Sequence, residues 1–270
     1  MACATWLHLA QGDVGVRDSL PFGRRFSHVL HAATDSTLGP RLSPLERYDQ
    51  IVCGTRNVLD LAVHSRAQRF LLTSSGAVYG PQPPALTQIP ENYHAMPDPL
   101  HTAHAYGVAK RTAEHLCALY FNAHGLQTVV ARCFAFVGRD LPLDVHFAIG
   151  NFIRDALHRP AIFVQGDGSP VRSYLDQRDL AVWLTRLLQG GTAGEAYNVG
   201  SDQAITIASL ASLVRDTLAP EKEVRIANAD ASPAGRNVYV PSIAKAQADL
   251  GLQVQVPLVE AIREAAQHVH

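Results

Sequence analysis

The sequence predicts an α/β fold: a doubly wound parallel sheet with helices on its faces, joined to a smaller mixed α/β lobe. Three observations predict it. Short apolar runs alternate with long segments of helical spacing through the first 134 residues. One such run, at residues 69–73, ends in the small polar corner Thr73-Ser-Ser-Gly-Ala-Val-Tyr-Gly80. Past Gly138 the pattern becomes shorter strands and helices broken by Gly and Pro. Alternation of this kind implies parallel strands whose ligands bind at their C-terminal ends.

Taken in order, residues 6–10 read as a short strand closed by Gly12 and Asp13, and residues 27–33 as a second. Residues 45–64 carry apolar groups at helical spacing (Leu45, Tyr48, Val52, Val58, Leu59, Ala62), which predicts a long helix. A third strand covers 69–73, and the Pro-rich segment 81–99 is a loop long enough to serve a function. Residues 105–124 form a second long helix that stops at Gly125, and 128–134 a β-branched strand. Beyond 138, two short strands flank the Gly166-Asp-Gly168 turn. A helix over 178–188, a strand at 195–201, a helix over 206–218 and two helical segments within 241–267 follow. No internal repeat or low-complexity linker interrupts the chain. The expected division is a domain at 1–138, with parts of 176–200, and a lobe at 139–270 that is woven into it.

Bulk properties exclude several classes. The chain has 270 residues, 47% hydrophobic and 17% charged, which is the composition of a folded protein. A net charge of −1 provides no field that would draw it to nucleic acid or an anionic membrane surface. No apolar run approaches a membrane span, and Gly12, Asp13 and Arg17 interrupt any leader-like pattern. A cytoplasmic protein is expected. The four cysteines are widely spaced and read as reduced core thiols. The 13 histidines include the pairs His28/His31 and His101/His104, but no set has metal-ligand spacing, so no metal is expected.

Tyr106-Gly-Val-Ala-Lys110 carries the most chemistry. Four residues apart on a helix, the phenol and the ammonium face one way, and a nearby cation favours the phenolate. By itself the spacing also describes an exposed surface pair. Its context narrows the reading, because Ser75 stands 31 residues earlier at the end of a predicted strand.

Ser75, Tyr106 and Lys110 together resemble the triad of the extended short-chain dehydrogenases/reductases, in particular the NAD-dependent epimerase/dehydratase family that acts on nucleotide sugars. Gly12-Asp-Val14, His28-Val-Leu-His-Ala-Ala-Thr34, Gly54-Thr-Arg-Asn-Val-Leu-Asp-Leu-Ala62, Arg132-Cys-Phe-Ala-Phe-Val-Gly138 and the segment 166–181 resemble family segments in the same order. So do Tyr197-Asn-Val-Gly-Ser201 and Asp249-Leu-Gly-Leu252. The resemblance implies a Rossmann-like domain with a substrate lobe. It also implies that Tyr106 transfers the proton, that Lys110 holds the nicotinamide ribose, and that Ser75 orients the substrate hydroxyl. By the same resemblance Asp13, Val14, His31, Ala32, Ala33, Thr73 and Ser74 line the cofactor along with Tyr106 and Lys110. Ser75, Gly76, Ala77, Arg172 and Arg236 face the substrate, with the two arginines at its diphosphate. NAD is the implied cofactor, with NADP left open, and a homodimer through the helices at 45–64 and 105–124 is the implied assembly.

Departures from the family pattern matter as well. The Gly-x-x-Gly-x-x-Gly turn with which members begin is absent, and the chain starts near the family's third strand. A truncated form is expected, with a divergent protein whose cofactor site is compromised as the alternative. Ile51 and Ala135 stand where the family carries asparagines. The 4,6-dehydratases place Asp and Glu before Val-Tyr-Gly, and the sugar-acid decarboxylases usually keep the Glu. Here Gly76 and Ala77 hold those positions. Elimination needs an acid and a base that Gly and Ala cannot supply. A nucleotide-sugar 4-epimerase is therefore the expected activity. A 4-ketoreductase is the nearest alternative, ahead of a 4,6-dehydratase-type enzyme. An inactive binding protein is the alternative from another class.

Overall fold

The structure is a computed structural model that describes residues 7–34, 42–143, 147–228 and 237–267. Strand β1 (His28–His31) is followed by helix α1 (Pro44–His64), strand β2 (Arg69–Ser75), helix α2 (Ala105–His124) and strand β3 (Gln127–Cys133). Then come β4 (Phe136–Val137), α3 (Ala148–His158), β5 (Ala161–Val164), β6 (Val171–Arg172), β7 (Leu175–Asp176), α4 (Gln177–Gly190) and β8 (Ala196–Val199). The chain continues through β9 (Ile205–Thr206), α5 (Ile207–Leu218), β10 (Glu223–Ile226), β11 (Val238–Tyr239), α6 (Ala244–Leu250) and α7 (Leu258–Gln267).

Local chemistry explains the helix ends. Ser43 and Glu46 form a reciprocal capping box at the start of α1, and Pro44 fills the first turn, where its missing N–H costs nothing. Gly125 ends α2 with φ at 67°, a left-handed cap that glycine adopts without strain.

The main sheet runs β1-β2-β3-β8, with every pair parallel. Side-chain alternation along β2 splits its apolar residues between two layers. Phe70 and Leu72 pack with Ile51, Leu59, Ala109 and Ala113 of α1 and α2. Leu71 packs on the opposite face with Trp183 and Leu187 of α4 and Ala246 of α6. A sheet buried on both faces by helices is the doubly wound arrangement that the sequence predicts.

A separate apolar cluster joins α3, α5 and α7 to β5 and β10 through Phe152, Ile153, Ile162, Leu210, Val214 and Ile262. Here the expectation needs correction in detail. The two strands expected around Gly166–Gly168 are three, and none pairs with another: β5 lies against β10, β6 between β9 and β11, and β7 against β4. The strand expected at 6–10 is also not found, since residues 7–10 carry no strand structure and Trp6 lies outside the described residues. An apolar run forms a strand only where a neighbour takes up its backbone hydrogen bonds, and among the described residues β1 is hydrogen-bonded to β2 alone.

Candidate active site

The C-terminal ends of β2 and β3 and the N-terminal half of α2 meet at one place. Ser75 ends β2, and its hydroxyl accepts from the Ala77 N–H at 3.2 Å, which caps the 3₁₀ turn Gly76–Tyr79. Tyr106 and Lys110 lie one turn apart on α2, with the Lys110 ammonium 5.9 Å from the centre of the Tyr106 ring. Helix and turn approach closely at Gly107, where a Cβ would sit 2.7 Å from the Ala77 carbonyl oxygen. The missing side chain lets α2 bring Tyr106 up to Ser75.

Burial sets the protonation of this group. It pushes the Tyr106 phenol above its ordinary value, against a hydrogen-bonding contact from Ser75 that pulls it back down. The sequence reading, in which Lys110 lowers that phenol, is corrected: desolvation outweighs any effect of the cation. Lys110 itself is pushed down to about 8 by burial, and its ammonium donates to Thr34 Oγ1 at 2.8 Å and to the Thr73 carbonyl at 2.9 Å.

Among the described residues these two acceptors occupy two of the three Lys110 donors, so the ammonium has one more donor than these partners use. His31 is buried beside this corner, its Nε2 3.2 Å from Thr55 Oγ1, and burial followed by the Lys110 charge lowers it to about 4. It is thus neutral at physiological pH. Thr73 donates to the His31 carbonyl at 3.1 Å. This set of hydroxyls, a neutral imidazole and an ammonium suits the ribose end of a nicotinamide dinucleotide.

Other predicted residues lie elsewhere. The Ser74 hydroxyl points away from Ser75 and donates to Glu114 at 2.6 Å. Asp13 is exposed and accepts from the Gly15 N–H at 2.8 Å, and Val14 packs against Gly54. Ala32 and Ala33 follow β1 as exposed chain. Arg172 lines a pocket of about 510 Å³ with Gln82, Asn237 and Tyr239. Arg236 lies outside the described residues. At the two departures, Ile51 is core and Ala135 packs against the α3–α5–α7 cluster, so packing replaces the expected polar groups.

Sequence reasoning missed three residues beside the site. Glu114, one turn beyond Lys110, pairs with Arg132 at 2.8 Å, and Arg132 donates to the Tyr79 hydroxyl at 2.8 Å. The spacing Lys110–Glu114 was a readable signal for the first. Tyr239 reaches Gly76 from the far end of the chain, and no local pattern marks it.

The profile of the NAD dependent epimerase/dehydratase family matches residues 5–200. The chain belongs to this family. Curated relatives include UDP-glucuronic acid decarboxylase 3 of Arabidopsis thaliana, 33% identical over 223 residues, covering 82% of this chain and 63% of the relative. UDP-glucuronic acid decarboxylase 1 of Danio rerio is 30% identical over 227 residues, covering 84% and 53%. The chain therefore spans less than two thirds of the length of these family members. Among solved structures, RMD from Pseudomonas aeruginosa complexed with NADPH superposes with a TM-score of 0.83 at 26% identity, covering 99% of this chain and 91% of that one. UDP-glucose 4-epimerase from Thermotoga maritima superposes at 0.76 and 20% identity, covering 90% and 76%, and shares the family fold. Solved neighbours of this fold hold NAD as well as NADPH. No helix among the described residues is long and apolar enough to cross a membrane.

Proposed function

We propose that this chain carries the proton-transfer and substrate-orienting half of an NAD-dependent nucleotide-sugar 4-epimerase. The observation that carries the reading is the meeting of Ser75, Tyr106 and Lys110 beside a corner whose two following residues, Gly76 and Ala77, offer neither acid nor base. Tyr106 takes the proton of the sugar 4-hydroxyl as the hydride leaves C4, and returns it to the same oxygen when the hydride comes back to the opposite face of the 4-keto carbon. Ser75 holds that oxygen against the phenol, and Lys110 steadies the ribose. His31, Thr73 and Lys110 would hold the ribose end of a dinucleotide, which would supply the acceptor for the C4 hydride. Arg172, at the pocket shared with Tyr239, takes the diphosphate. NADP remains an alternative to NAD.

The decarboxylase relatives favour a second reading, in which the same C4 oxidation leads to loss of a C5 carboxylate. Against it stand the neutral residues at 76 and 77, and Glu114, whose carboxylate is occupied by Arg132. A 4-ketoreductase would use the same three residues. A degenerate member would bind a nucleotide sugar without turning it over.

One set of incubations separates these readings: NAD with UDP-glucose, UDP-galactose or UDP-glucuronate, followed by product analysis. C4 epimers formed without net reduction of NAD support the epimerase. Release of CO2 from UDP-glucuronate would replace it with decarboxylation. Stoichiometric NAD(P)H consumption with a 4-keto sugar would replace it with a reductase. Absence of NAD binding by calorimetry would leave only a binding protein.

We further propose the division into a cofactor domain (1–138 with parts of 176–200) and a substrate lobe (139–270). The assembly proposed is a cytoplasmic homodimer through α1 and α2, where Leu45, Leu119 and Phe121 are exposed.

A further inference from the structure

We infer that Ser74, Glu114 and Arg132 are positioning residues: together they lock α2 at one register on the sheet, the register that brings Lys110 to the end of β2 and Tyr106 up to Ser75. The inference rests on the reading of Ser75, Tyr106 and Lys110 as the working group of the site.

The layer between the sheet and α2 changes character at this level. Further down β2 and β3 it is apolar, with Phe70, Leu72 and Val130 packed among Ala109, Ala113 and Cys117. Side chains alternate along a strand, so Ser74 is the next residue of β2 on that face, and its register partner on β3 is Arg132. Glu114 of α2 closes over both. Its Oε1 accepts from the Ser74 hydroxyl at 2.6 Å and from Arg132 Nε at 3.1 Å, and its Oε2 accepts from Arg132 Nη2 at 2.8 Å. Arg132 is held in turn, because its Nη1 donates to the Tyr79 hydroxyl at 2.8 Å and to the Glu91 carbonyl at 3.2 Å.

An apolar interface sets no register of its own, since hydrophobic burial is non-directional. Thr128 donates to the Cys117 carbonyl at 3.1 Å, but a helix moved along its axis offers another carbonyl to the same hydroxyl. It offers no second carboxylate, because Glu114 is the one acidic residue of α2. A half-buried charge that can be paired in one position alone specifies register even where it adds little stability.

The helix period carries that register to the site. Lys110 and Tyr106 lie one and two turns before Glu114 on the same side of α2. With Glu114 seated on Ser74, the Lys110 ammonium reaches the Thr73 carbonyl, one residue earlier in β2, at 2.9 Å, and Thr34 Oγ1 at 2.8 Å. A slip of one residue would move Lys110 by about 1.5 Å along the axis and about 100° around it, breaking both bonds. The same slip would carry the Tyr106 phenol away from Ser75.

The lock is tested on the whole chain without substrate or cofactor. The sequence holds three lysines, Lys110, Lys222 and Lys245, so ¹⁵N labelling of lysine gives three ammonium signals, and that of Lys110 is assigned by its loss in Lys110→Gln. At about pH 6 this ammonium, which burial lowers to about 8, is charged. The triple variant Ser74→Ala, Glu114→Leu, Arg132→Met replaces the charged trio by apolar groups of similar volume, so its melting temperature should stay within a few degrees of the wild type. Its Lys110 ammonium protons should nevertheless exchange at least about tenfold faster, or give more than one signal. A stable triple variant with a single Lys110 signal, exchanging within about twofold of the wild-type rate, would overturn the lock.

If the triple variant fails to fold, Ser74→Ala decides, since it leaves the ion pair whole. Exchange at Lys110 should rise at least about threefold, and Ser74→Thr, which keeps the hydroxyl, should return it to the wild-type rate. No change in Ser74→Ala would overturn the lock as well. Val214→Ala separates register from general loosening: it opens a cavity in the α3–α5–α7 cluster and should lower the melting temperature while leaving Lys110 exchange as it was. Equal acceleration there would overturn the assignment. A chain that converts no nucleotide sugar would defeat the functional reading and leave these measurements intact.

Discussion

Arg132 on β3 grips Glu114 on α2 across 2.8 Å, with each side chain about one-seventh exposed (15% and 13%). The pair is embedded in a chain of contacts. Ser74 donates to Glu114, Arg132 donates to the Tyr79 hydroxyl, and Tyr79 donates to Asn198 Oδ1 at 2.8 Å. It joins the strand that carries Ser75 to the helix that carries Tyr106 and Lys110. Removing one partner strands a charge in a low-dielectric setting, which costs more than the pair contributes. Glu114→Gln should therefore destabilise the fold by about 3 kcal/mol in urea unfolding. A change below about 1 kcal/mol would mean that the pair is solvated as surface pairs are.

Tyr106→Phe removes one oxygen from a site already closed by packing. If the phenol moves the proton, turnover falls by at least about 100-fold while the melting temperature barely changes. Steady-state rates beside a thermal scan check both halves. Retained turnover would take the proton-transfer role from Tyr106.

Gly107→Ala sets two effects against each other. Alanine is favoured over glycine inside a helix by about 1 kcal/mol. The added methyl, however, would meet the Ala77 carbonyl oxygen at 2.7 Å and Pro97 Cγ at 3.2 Å. The oxygen belongs to a turn fixed by the Gly80 N–H, so the helix has to move instead. The clash should win, with a net loss of about 1–3 kcal/mol and a displaced Tyr106. Equal or higher stability in denaturant would show that the helix has slack here.

What the sequence made legible follows from range. The helical spacing over α1 and α2 and the Gly125 stop are local, and each helix formed within a residue or two of its expected bounds. The Tyr106/Lys110 spacing is local too, and Ser75 could be placed because one strand and one loop separate it from them. Tyr239 joins the same site through a two-residue strand whose neighbours are set by the other lobe, and nothing in Val238-Tyr239-Val240 signals that. The rise of the Tyr106 phenol was illegible for a similar reason. Spacing gives the distance to Lys110, whereas the desolvation that dominates comes from residues packed around it.

His31 makes stability depend on pH with a definite sign. Burial first, then the Lys110 charge, lowers its value from 6.5 to about 4, and it is 5% exposed. In the unfolded chain the imidazole takes up a proton near 6.5, while in the folded chain it stays neutral until about 4. Between those values the unfolded state binds more protons, so stability rises with pH. The contribution is complete above about 6.5 and is lost progressively as the pH falls towards 4, reaching about 3 kcal/mol. His31→Asn keeps a polar group that can reach Thr55 and removes the titration. Unfolding free energies at pH 7.5 and 4.5 should differ more in the wild type than in the variant, by about 2–3 kcal/mol. Parallel pH slopes in the two proteins would show that His31 is hydrated, and the neutral imidazole beside Lys110 would have to be given up with it.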